Sequence, residues 1–172
     1  MRAVLNLVFA LGFAAPAAAQ MLPPDWAQRL AAGRQALVQD YGAPMLADWI
    51  RRSRDEAVAA GVQPIPPAVR QKLLRIYPAA LLDTVRYRVG GGSGFSLQRN
   101  SFGFGHADAI TLGDVVVFRT AAEAASAWLW AHEIGHVVQY RALGIDGFAL
   151  RYIQDWRGLE LEAEGRARTV YR

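Results

Sequence analysis

Two neighbouring stretches decide the fold of this chain: AITLGDVVVF at residues 109–118 and WLWAHEIGHVVQY at residues 128–140. The first contains two short apolar runs separated by a Gly-Asp pair, which favours the tight turn of a β-hairpin. Between the two stretches, Thr120 and Glu123 have the spacing of a capping box, which marks the start of a helix. The second stretch is apolar on nearly every side and predicts a buried helix. The sequence therefore predicts a small sheet that leads directly into a buried helix.

The N-terminal third has a helical pattern. From Pro23 to about Gly61, large apolar residues recur at helical spacing, with charged residues between them. The triplet Gly42-Ala43-Pro44 predicts a break into two helices. The proline-rich stretch at residues 62–67 predicts a stiff connector, and a third helix is expected to follow it and to end at Tyr77.

The remaining elements lie on both sides of the central stretches. VRYRV at residues 85–89 alternates apolar residues and arginine, which predicts a strand with one buried face. The central helix is expected to run from the capping box to about Leu143, because Gly144 follows. A short helix over 148–156, a break at Gly158 and a last helix complete the chain. The predicted fold class is α+β: N-terminal helices, a small mostly antiparallel sheet, a buried active-site helix and two C-terminal helices.

The first 19 residues have the character of a secretory signal. Arg2 supplies the positive start, an apolar stretch follows, and Ala17–Ala19 suits cleavage before Gln20. This stretch is too short and too polar to span a membrane. We therefore predict a cut between Ala19 and Gln20, and removing 19 residues from 172 leaves 153. The mature protein is expected to be periplasmic or secreted, with no transmembrane segment after cleavage.

Composition excludes several classes of function. The chain has no cysteine, which rules out thiolate zinc ligands and a thiol nucleophile. The formal net charge is +4, but the arginines are scattered along the chain rather than clustered. Scattered charge is typical of a solvated surface, so we predict no nucleic-acid partner.

The central helix carries the pattern H-E-x-x-H. Residues four apart lie on the same face of a helix, so His132 and His136 can both bind one Zn²⁺ ion. Glu133 lies about 100° further around the axis, where it can act on a metal-bound water. The alternative is a buried histidine pair satisfied by hydrogen bonds without a metal. Because burying three titratable groups without a metal is costly, the sequence favours a single zinc site.

A catalytic zinc normally has a third protein ligand. The metzincin pattern fails, because Gln139 and Ala142 stand where that pattern requires glycine and histidine. Further along the chain are three candidates: Glu160, Glu162 and Glu164. Alternate residues do not share a helix face, so at most Glu160 and Glu164 can point the same way.

With HEIGH at residues 132–136 and ELEAE at residues 160–164, the chain resembles the gluzincin peptidases. In that class the third ligand is a glutamate on a later helix, with an acidic residue four positions further on. The resemblance implies that Glu160 is the ligand and that Glu164 orients a ligand histidine. The CAAX-type zinc peptidases have E-x-x-A-D at this place, whereas this chain ends the motif with glutamate. Glu164 is therefore the second candidate for the ligand.

A wider resemblance runs from about Pro66 to Ala167. The segments PPAVRQKLL, VRYRVG, AITLGDVVVF and AHEIGHVVQ resemble, in this order, a bacterial domain of unknown function. That domain heads many toxin-like effectors, including those of extracellular contractile injection systems. The resemblance implies a minimal gluzincin-like metallopeptidase domain at residues 66–172, preceded by an N-terminal helical segment at residues 20–65.

Together these observations predict an exported zinc metalloendopeptidase that hydrolyses a protein or peptide substrate through a metal-bound water, with Glu133 as general base. Candidate donors to the oxyanion are His106, Tyr140 and Tyr152, and His106 is preferred because it closes a glycine-rich segment. That segment, residues 90–105, is the predicted substrate rim, and FSLQRN within it is either a peptide-pairing strand or a surface loop.

Two other functions fit the sequence. A non-catalytic, zinc-stabilised binding domain of the envelope or of a secreted effector would have the same ligands, but Glu133 would then have no chemical task. A helical protein that binds the cell envelope through its N-terminal helices is the third possibility.

Overall fold

The structure, a computed structural model, describes residues 26–90 and 107–171. The predictions for the signal at residues 1–19, for His106 and for FSLQRN fall outside these residues. The described helices are α1 (Trp26–Leu37), α2 (Ala43–Ala59), α3 (Pro67–Leu73), α4 (Ala79–Leu82), α5 (Ala121–Ala124) and α6 (Ala127–Ala167). The strands are β1 (Gln63–Pro64), β2 (Arg86–Val89), β3 (Ala109–Leu112) and β4 (Val115–Phe118). This arrangement confirms the predicted α+β class.

The four strands form one sheet in the order β1-β2-β4-β3. The β1–β2 and β3–β4 pairs are antiparallel, whereas β2 and β4 run parallel. The predicted hairpin is confirmed, and Gly113 in its turn has a φ of 69°, a value that favours glycine. All four residues of β4 are buried, and β3 lies at the edge of the sheet.

The first part of the chain differs from the prediction in two places. At the expected break, a π-helical turn (Val38–Gly42) joins α1 to α2, and the backbone remains helical. Pro44 lies in the first turn of α2. Backbone N–H groups in a first turn make no hydrogen bond within their own helix, so the N–H group that proline lacks is not needed there and α2 is not interrupted. The expected connector contains strand β1, in which Gln63 pairs with Tyr87.

The third helix is shorter than predicted. It ends at Leu73, and hydrogen-bonded turns follow up to Pro78. Tyr77 is buried, and its hydroxyl donates to the carbonyl oxygen of Ala131 at 2.7 Å. Burial raises the pKa of Tyr77 to about 12. This contact ties the turn to the central helix, which explains why the chain leaves the helical path before Tyr77.

The predicted capping box is present but opens only the short helix α5. The Thr120 backbone N–H donates to the Glu123 carboxylate at 2.6 Å, and the Glu123 backbone N–H donates to the Thr120 hydroxyl at 3.5 Å. After α5 the chain extends at Ser126, whose hydroxyl accepts from the backbone of Leu129 and caps α6. The central helix therefore starts at Ala127, with its own cap.

Helix α6 bends twice, which divides it into segments 127–143, 145–154 and 156–167. The first bend is at Gly144, as predicted, with a φ of 68° and a ψ of 172°. The second is at Asp155 rather than at the predicted Gly158. The Asp155 carboxylate accepts a hydrogen bond from the Gly158 backbone at 2.9 Å and so caps the last segment. Within residues 26–90 and 107–171, no helix combines the length and the hydrophobicity that a membrane-spanning segment requires.

Buried side chains form two clusters, and successive residues of β4 alternate between them: Val116 and Phe118 belong to the first, Val115 and Val117 to the second. The first contains Trp130, whose ring lies 4.7 Å from Phe118 and 5.2 Å from Tyr87, measured between centroids. The second joins α2 to β3, β4 and the later parts of α6 through Ala47, Ile50, Ala57, Leu112, Val115, Val117, Phe148 and Leu159. Helix α2 is thus part of the core that supports the central helix.

Candidate metal centre

The structure brings together the three predicted ligands: His132, His136 and Glu160. The Nε2 atoms of the two histidines are 3.1 Å apart. The Glu160 Oε2 atom lies 3.3 Å from His132 Nε2, and its Oε1 atom lies 3.5 Å from His136 Nε2. One ligand atom from each residue lies within 4.8 Å of the other two, so the three residues could hold a metal ion. Glu162 and Glu164 do not belong to this group.

A close contact between helical segments places Glu160 next to the histidines. Gly135 lies inside the H-E-x-x-H motif and faces Ala163, one turn after Glu160. A Cβ atom at Gly135 would lie 2.9 Å from Ala163 Cα and 3.1 Å from Ala163 Cβ, closer than ordinary van der Waals contact. The absence of a side chain at Gly135 is therefore what allows segment 156–167 to approach the histidines.

Gln139 contacts both the first and the last segments of α6. The Nδ1 atom of His136 lies 2.8 Å from Gln139 Oε1. The amide nitrogen of Gln139 donates to the carbonyl oxygen of Leu159 at 2.9 Å and to the Glu162 carboxylate at 3.1 Å. Glu162 also accepts from Arg151, which lies on the middle segment. A chain of hydrogen bonds therefore connects a ligand histidine to all three segments of the helix.

The contacts at the centre raise the pKa of His132 and lower the pKa of Glu160. Burial lowers the pKa of His132, but the hydrogen bond to Glu160 and the charges of Glu133, Glu160 and Glu164 outweigh burial and raise it. Burial raises the pKa of Glu160, but the hydrogen bond to His132 and the charges of both histidines lower it overall. The cluster therefore attracts positive charge, whether a proton or a metal ion.

One atom of the centre lacks a partner. The Nδ1 atom of His132 is buried and has no hydrogen bond to any of the described residues. The ring instead stacks on Trp128, one turn earlier in the helix, with centroids 5.9 Å apart and planes 22° apart. On its Nδ1 side, His132 is therefore held by packing against Trp128, whereas the Nδ1 atom of His136 has Gln139 as a hydrogen-bond partner.

Glu133, the predicted general base, lies on the sheet side of the same helix. Only 4% of Glu133 is exposed, and its Oε2 atom accepts a hydrogen bond from the Thr111 hydroxyl at 2.6 Å. Thr111 belongs to the edge strand β3 and is itself buried. The carboxylate is close enough to His132 for its charge to raise the pKa of that histidine.

Removing the Thr111 hydroxyl should destabilise the protein. In Thr111→Val the shape is kept, but the buried Glu133 carboxylate loses a donor, and hydrogen bonds to charged groups contribute about 1.5–3 kcal/mol. We expect the free energy of unfolding in urea to fall by about 1–3 kcal/mol. Thr111→Ser keeps the hydroxyl and should lose much less. A Thr111→Val protein as stable as the wild type would show that the hydrogen bond to Glu133 does not stabilise the fold.

The other predicted site residues that the structure describes are Glu164, Tyr140 and Tyr152. The Glu164 carboxylate accepts from Arg168 at 2.9 Å, so its predicted role in orienting a histidine remains a prediction. Tyr140 is buried and stacks on Phe148, with ring centroids 3.8 Å apart. Burial, and secondarily the charge of Glu160, raise the pKa of Tyr152 to about 12. Tyr152 is therefore close enough to Glu160 to sense its charge.

Two residues at the centre were missed by sequence reasoning. For Gln139, the sequence indicated only a replacement for glycine in the metzincin pattern and the last residue of AHEIGHVVQ, with no predicted role, although its position three residues after His136 places it on the same helix face. Thr111 is the single polar residue of its strand. The sequence signal for Thr111 was a polar residue within a short apolar strand that precedes the helix carrying Glu133.

Comparison with known families supports part of the predicted resemblance. Residues 64–144 match the model of a family described as the eCIS core domain, where eCIS stands for extracellular contractile injection system. This match covers just under half of the chain and includes β2, β3, β4 and both histidines of the candidate metal centre, but it ends before Glu160. No curated protein and no solved structure matches the chain. The predicted resemblance to injection-system proteins is thus confirmed over this segment, whereas the gluzincin resemblance remains a prediction.

Proposed function

We propose that this protein is an exported zinc-dependent metallopeptidase that hydrolyses peptide bonds. The observation that carries the proposal is the placement of His132, His136 and Glu160 around one point, with Glu133 adjacent in the same helix. Two imidazoles and one carboxylate are a common ligand set of catalytic zinc sites, which keep a further position open.

The donor atoms fit a divalent cation. The side-chain amide oxygen of Gln139 contacts His136 Nδ1 and can only accept a hydrogen bond. The proton of a neutral His136 therefore lies on Nδ1, which leaves a lone pair on Nε2. This lone pair and both Glu160 oxygens face the same small space. Zinc bound there would act as a Lewis acid and would lower the pKa of a bound water.

The residues around the centre could move the protons of the reaction. The Thr111 hydroxyl donates a hydrogen bond to the Oε2 atom of Glu133. The other carboxylate oxygen, Oε1, would accept a proton from the attacking water and return it to the leaving amine. Among the described candidates, Tyr152 is the one influenced by Glu160, and its protonated hydroxyl would donate to the oxyanion. His106 remains a second candidate for this role.

A peptide substrate would fit along strand β3. Among residues 26–90 and 107–171, this strand is at the sheet edge and pairs only with β4, and it carries Thr111 next to Glu133. In an antiparallel pair, alternate residues direct their backbone N–H and C=O groups away from the partner strand. An extended peptide could pair with these groups and so place a scissile bond close to the metal centre.

The similarity to the eCIS core domain supports an extracellular or secreted setting for this activity. The extracellular system that the family description names agrees with the signal predicted at residues 1–19. We therefore propose that the protein is associated with such a system and that its substrate is a protein or peptide met after export.

A randomised peptide library tests the proposal. The purified protein, stripped with a chelator and reloaded with zinc, should generate new peptide termini, and further chelator should stop the cleavage. Glu160→Ala is the matched variant, because it removes one ligand but leaves both histidines in place. Zinc bound at one ion per chain without any cleavage would contradict the peptidase proposal.

One observation favours a second candidate, a zinc-stabilised interaction domain without catalytic activity. The Glu133 carboxylate is almost completely buried and already accepts a hydrogen bond from Thr111, as a structural residue would. Under this alternative, removing zinc should lower the melting temperature but change no chemical reaction. The library experiment distinguishes the two functions.

A further inference from the structure

We propose that Gln139 is the positioning residue of this metal centre: it holds His136 in the tautomer that binds metal through Nε2 and joins that histidine to the backbone beside Glu160. The inference rests on the proposed metal site but does not require that the site be catalytic. It concerns a residue that belongs neither to the H-E-x-x-H motif nor to the acidic motif of the last segment.

The orientation of the Gln139 amide follows from its partners. Its nitrogen lies 2.9 Å from the Leu159 carbonyl oxygen and 3.1 Å from the Glu162 carboxylate, and both of these groups only accept hydrogen bonds. The amide nitrogen must therefore face them, which turns the amide oxygen toward His136. Gln139 is buried, with 5% of its surface exposed, so water does not compete for these contacts.

This orientation fixes the position of the proton on His136. The amide oxygen lies 2.8 Å from His136 Nδ1 and accepts only, so Nδ1 must carry the proton. In a neutral imidazole the other nitrogen then has a free lone pair. That nitrogen, Nε2, is the atom that faces His132 and Glu160. Gln139 therefore prepares His136 for metal binding before any metal arrives.

The same side chain also positions the third ligand. Leu159, whose carbonyl accepts from Gln139, directly precedes Glu160 and is fully buried. The bond to Gln139 therefore fixes the backbone at the point where the last segment carries its ligand. Glu162 adds a weaker connection, because it is half exposed and accepts from the half-exposed Arg151. One buried amide thus controls the relative placement of two ligands.

The histidine tautomer is the first test, measured by NMR on the full chain labelled with ¹⁵N-histidine and free of metal. The sequence has three histidines, so His106→Asn and His132→Asn suffice to assign the signals. At a pH at which the spectra show a neutral His136, this histidine should carry its proton on Nδ1. In Gln139→Met, which has a similar volume but no amide, this preference should be lost. An Nε2-protonated His136 in the wild-type protein would overturn the inference.

Zinc affinity is the second test. Loss of a group that supports a metal ligand typically weakens binding by about 10–100-fold, which is the effect expected for Gln139→Met. The double variant Gln139→Glu/Glu162→Gln keeps an acceptor facing His136 Nδ1 but loses the donor to the Leu159 carbonyl, so it should recover only part of the affinity. If Gln139→Met does not fold, the tautomer of His136 in the wild-type protein still tests the inference. Arg151→Ala should bind zinc within about threefold of wild type, because exposed ion pairs contribute little.

The outcomes separate this inference from the proposed function. Zinc affinity in Gln139→Met equal to that of wild type would overturn the inference even if the enzyme is active. Zinc binding without peptide cleavage would end the peptidase proposal and leave the inference intact. If the wild-type protein binds no zinc, the metal site fails, and with it the role of Gln139 in preparing a ligand.

Discussion

Replacing Glu133 with glutamine is expected to lower kcat/KM for peptide hydrolysis by at least about 100-fold, while the protein continues to bind one zinc ion. An amide has nearly the same shape as a carboxylate but cannot accept a proton from water. The amide oxygen can still accept the hydrogen bond from Thr111, so the fold should remain intact. Hydrolysis of a peptide cleaved by the wild-type protein, measured together with bound zinc, checks this expectation.

Glu56→Gln is the matched control for this experiment. It makes the same chemical change on helix α2, outside the metal group, and should leave hydrolysis unchanged. Unaltered hydrolysis in Glu133→Gln would show that Glu133 is not the general base. Loss of both zinc and hydrolysis would instead indicate that Glu133 supports the site structurally through its contact with Thr111.

Replacing Gly135 with alanine is the second change for which we expect a large effect. The new Cβ atom would lie 2.9 Å from the Cα atom of Ala163, a backbone atom that cannot move without shifting the whole last segment. Such overpacking typically costs about 1–3 kcal/mol, more than the roughly 1 kcal/mol that alanine gains over glycine in a helix. Because the same segment carries Glu160, we also expect zinc affinity to fall by at least about tenfold.

The chain contains a matched control for this substitution. Gly165 lies in the same last segment, and a Cβ atom there would meet nothing within 4 Å. Gly165→Ala should therefore raise the free energy of unfolding by up to about 1 kcal/mol and leave zinc affinity unchanged. Urea unfolding of the metal-free proteins and zinc titration would measure both effects. A Gly135→Ala protein as stable and as tightly zinc-binding as Gly165→Ala would contradict the proposed helix contact.

The features that could be predicted from the sequence depend on residues close together in the chain. The β3–β4 hairpin has its turn residues and both strands within ten positions, and the prediction matches the structure. The placement of His132 and His136 on one face of the helix follows from helical periodicity alone. The bend at Gly144 was predicted because glycine commonly ends helices. In each case local physical chemistry is sufficient.

Features that were missed or misplaced depend mainly on contacts between distant residues. Strand β1 forms in a proline-rich stretch because β2, more than twenty residues later, supplies a pairing partner. The bond between Thr111 and Glu133 spans 22 positions, and the bond between Gln139 and Glu162 spans 23. Glu160 and Glu164 remained equal candidates by spacing. The resemblance to gluzincins favoured Glu160, and the folded chain brings only Glu160 to the histidines.

The claim that His132, His136 and Glu160 hold one divalent ion is tested most directly by zinc titration of the chelator-stripped protein. The wild-type protein and the variants Glu160→Ala and Glu164→Ala are compared side by side. We predict one zinc ion per wild-type chain, binding at least about tenfold weaker in Glu160→Ala, and affinity close to wild type in Glu164→Ala. A wild-type protein that binds no zinc, or a Glu160→Ala variant that binds zinc as tightly as wild type, would contradict this metal centre.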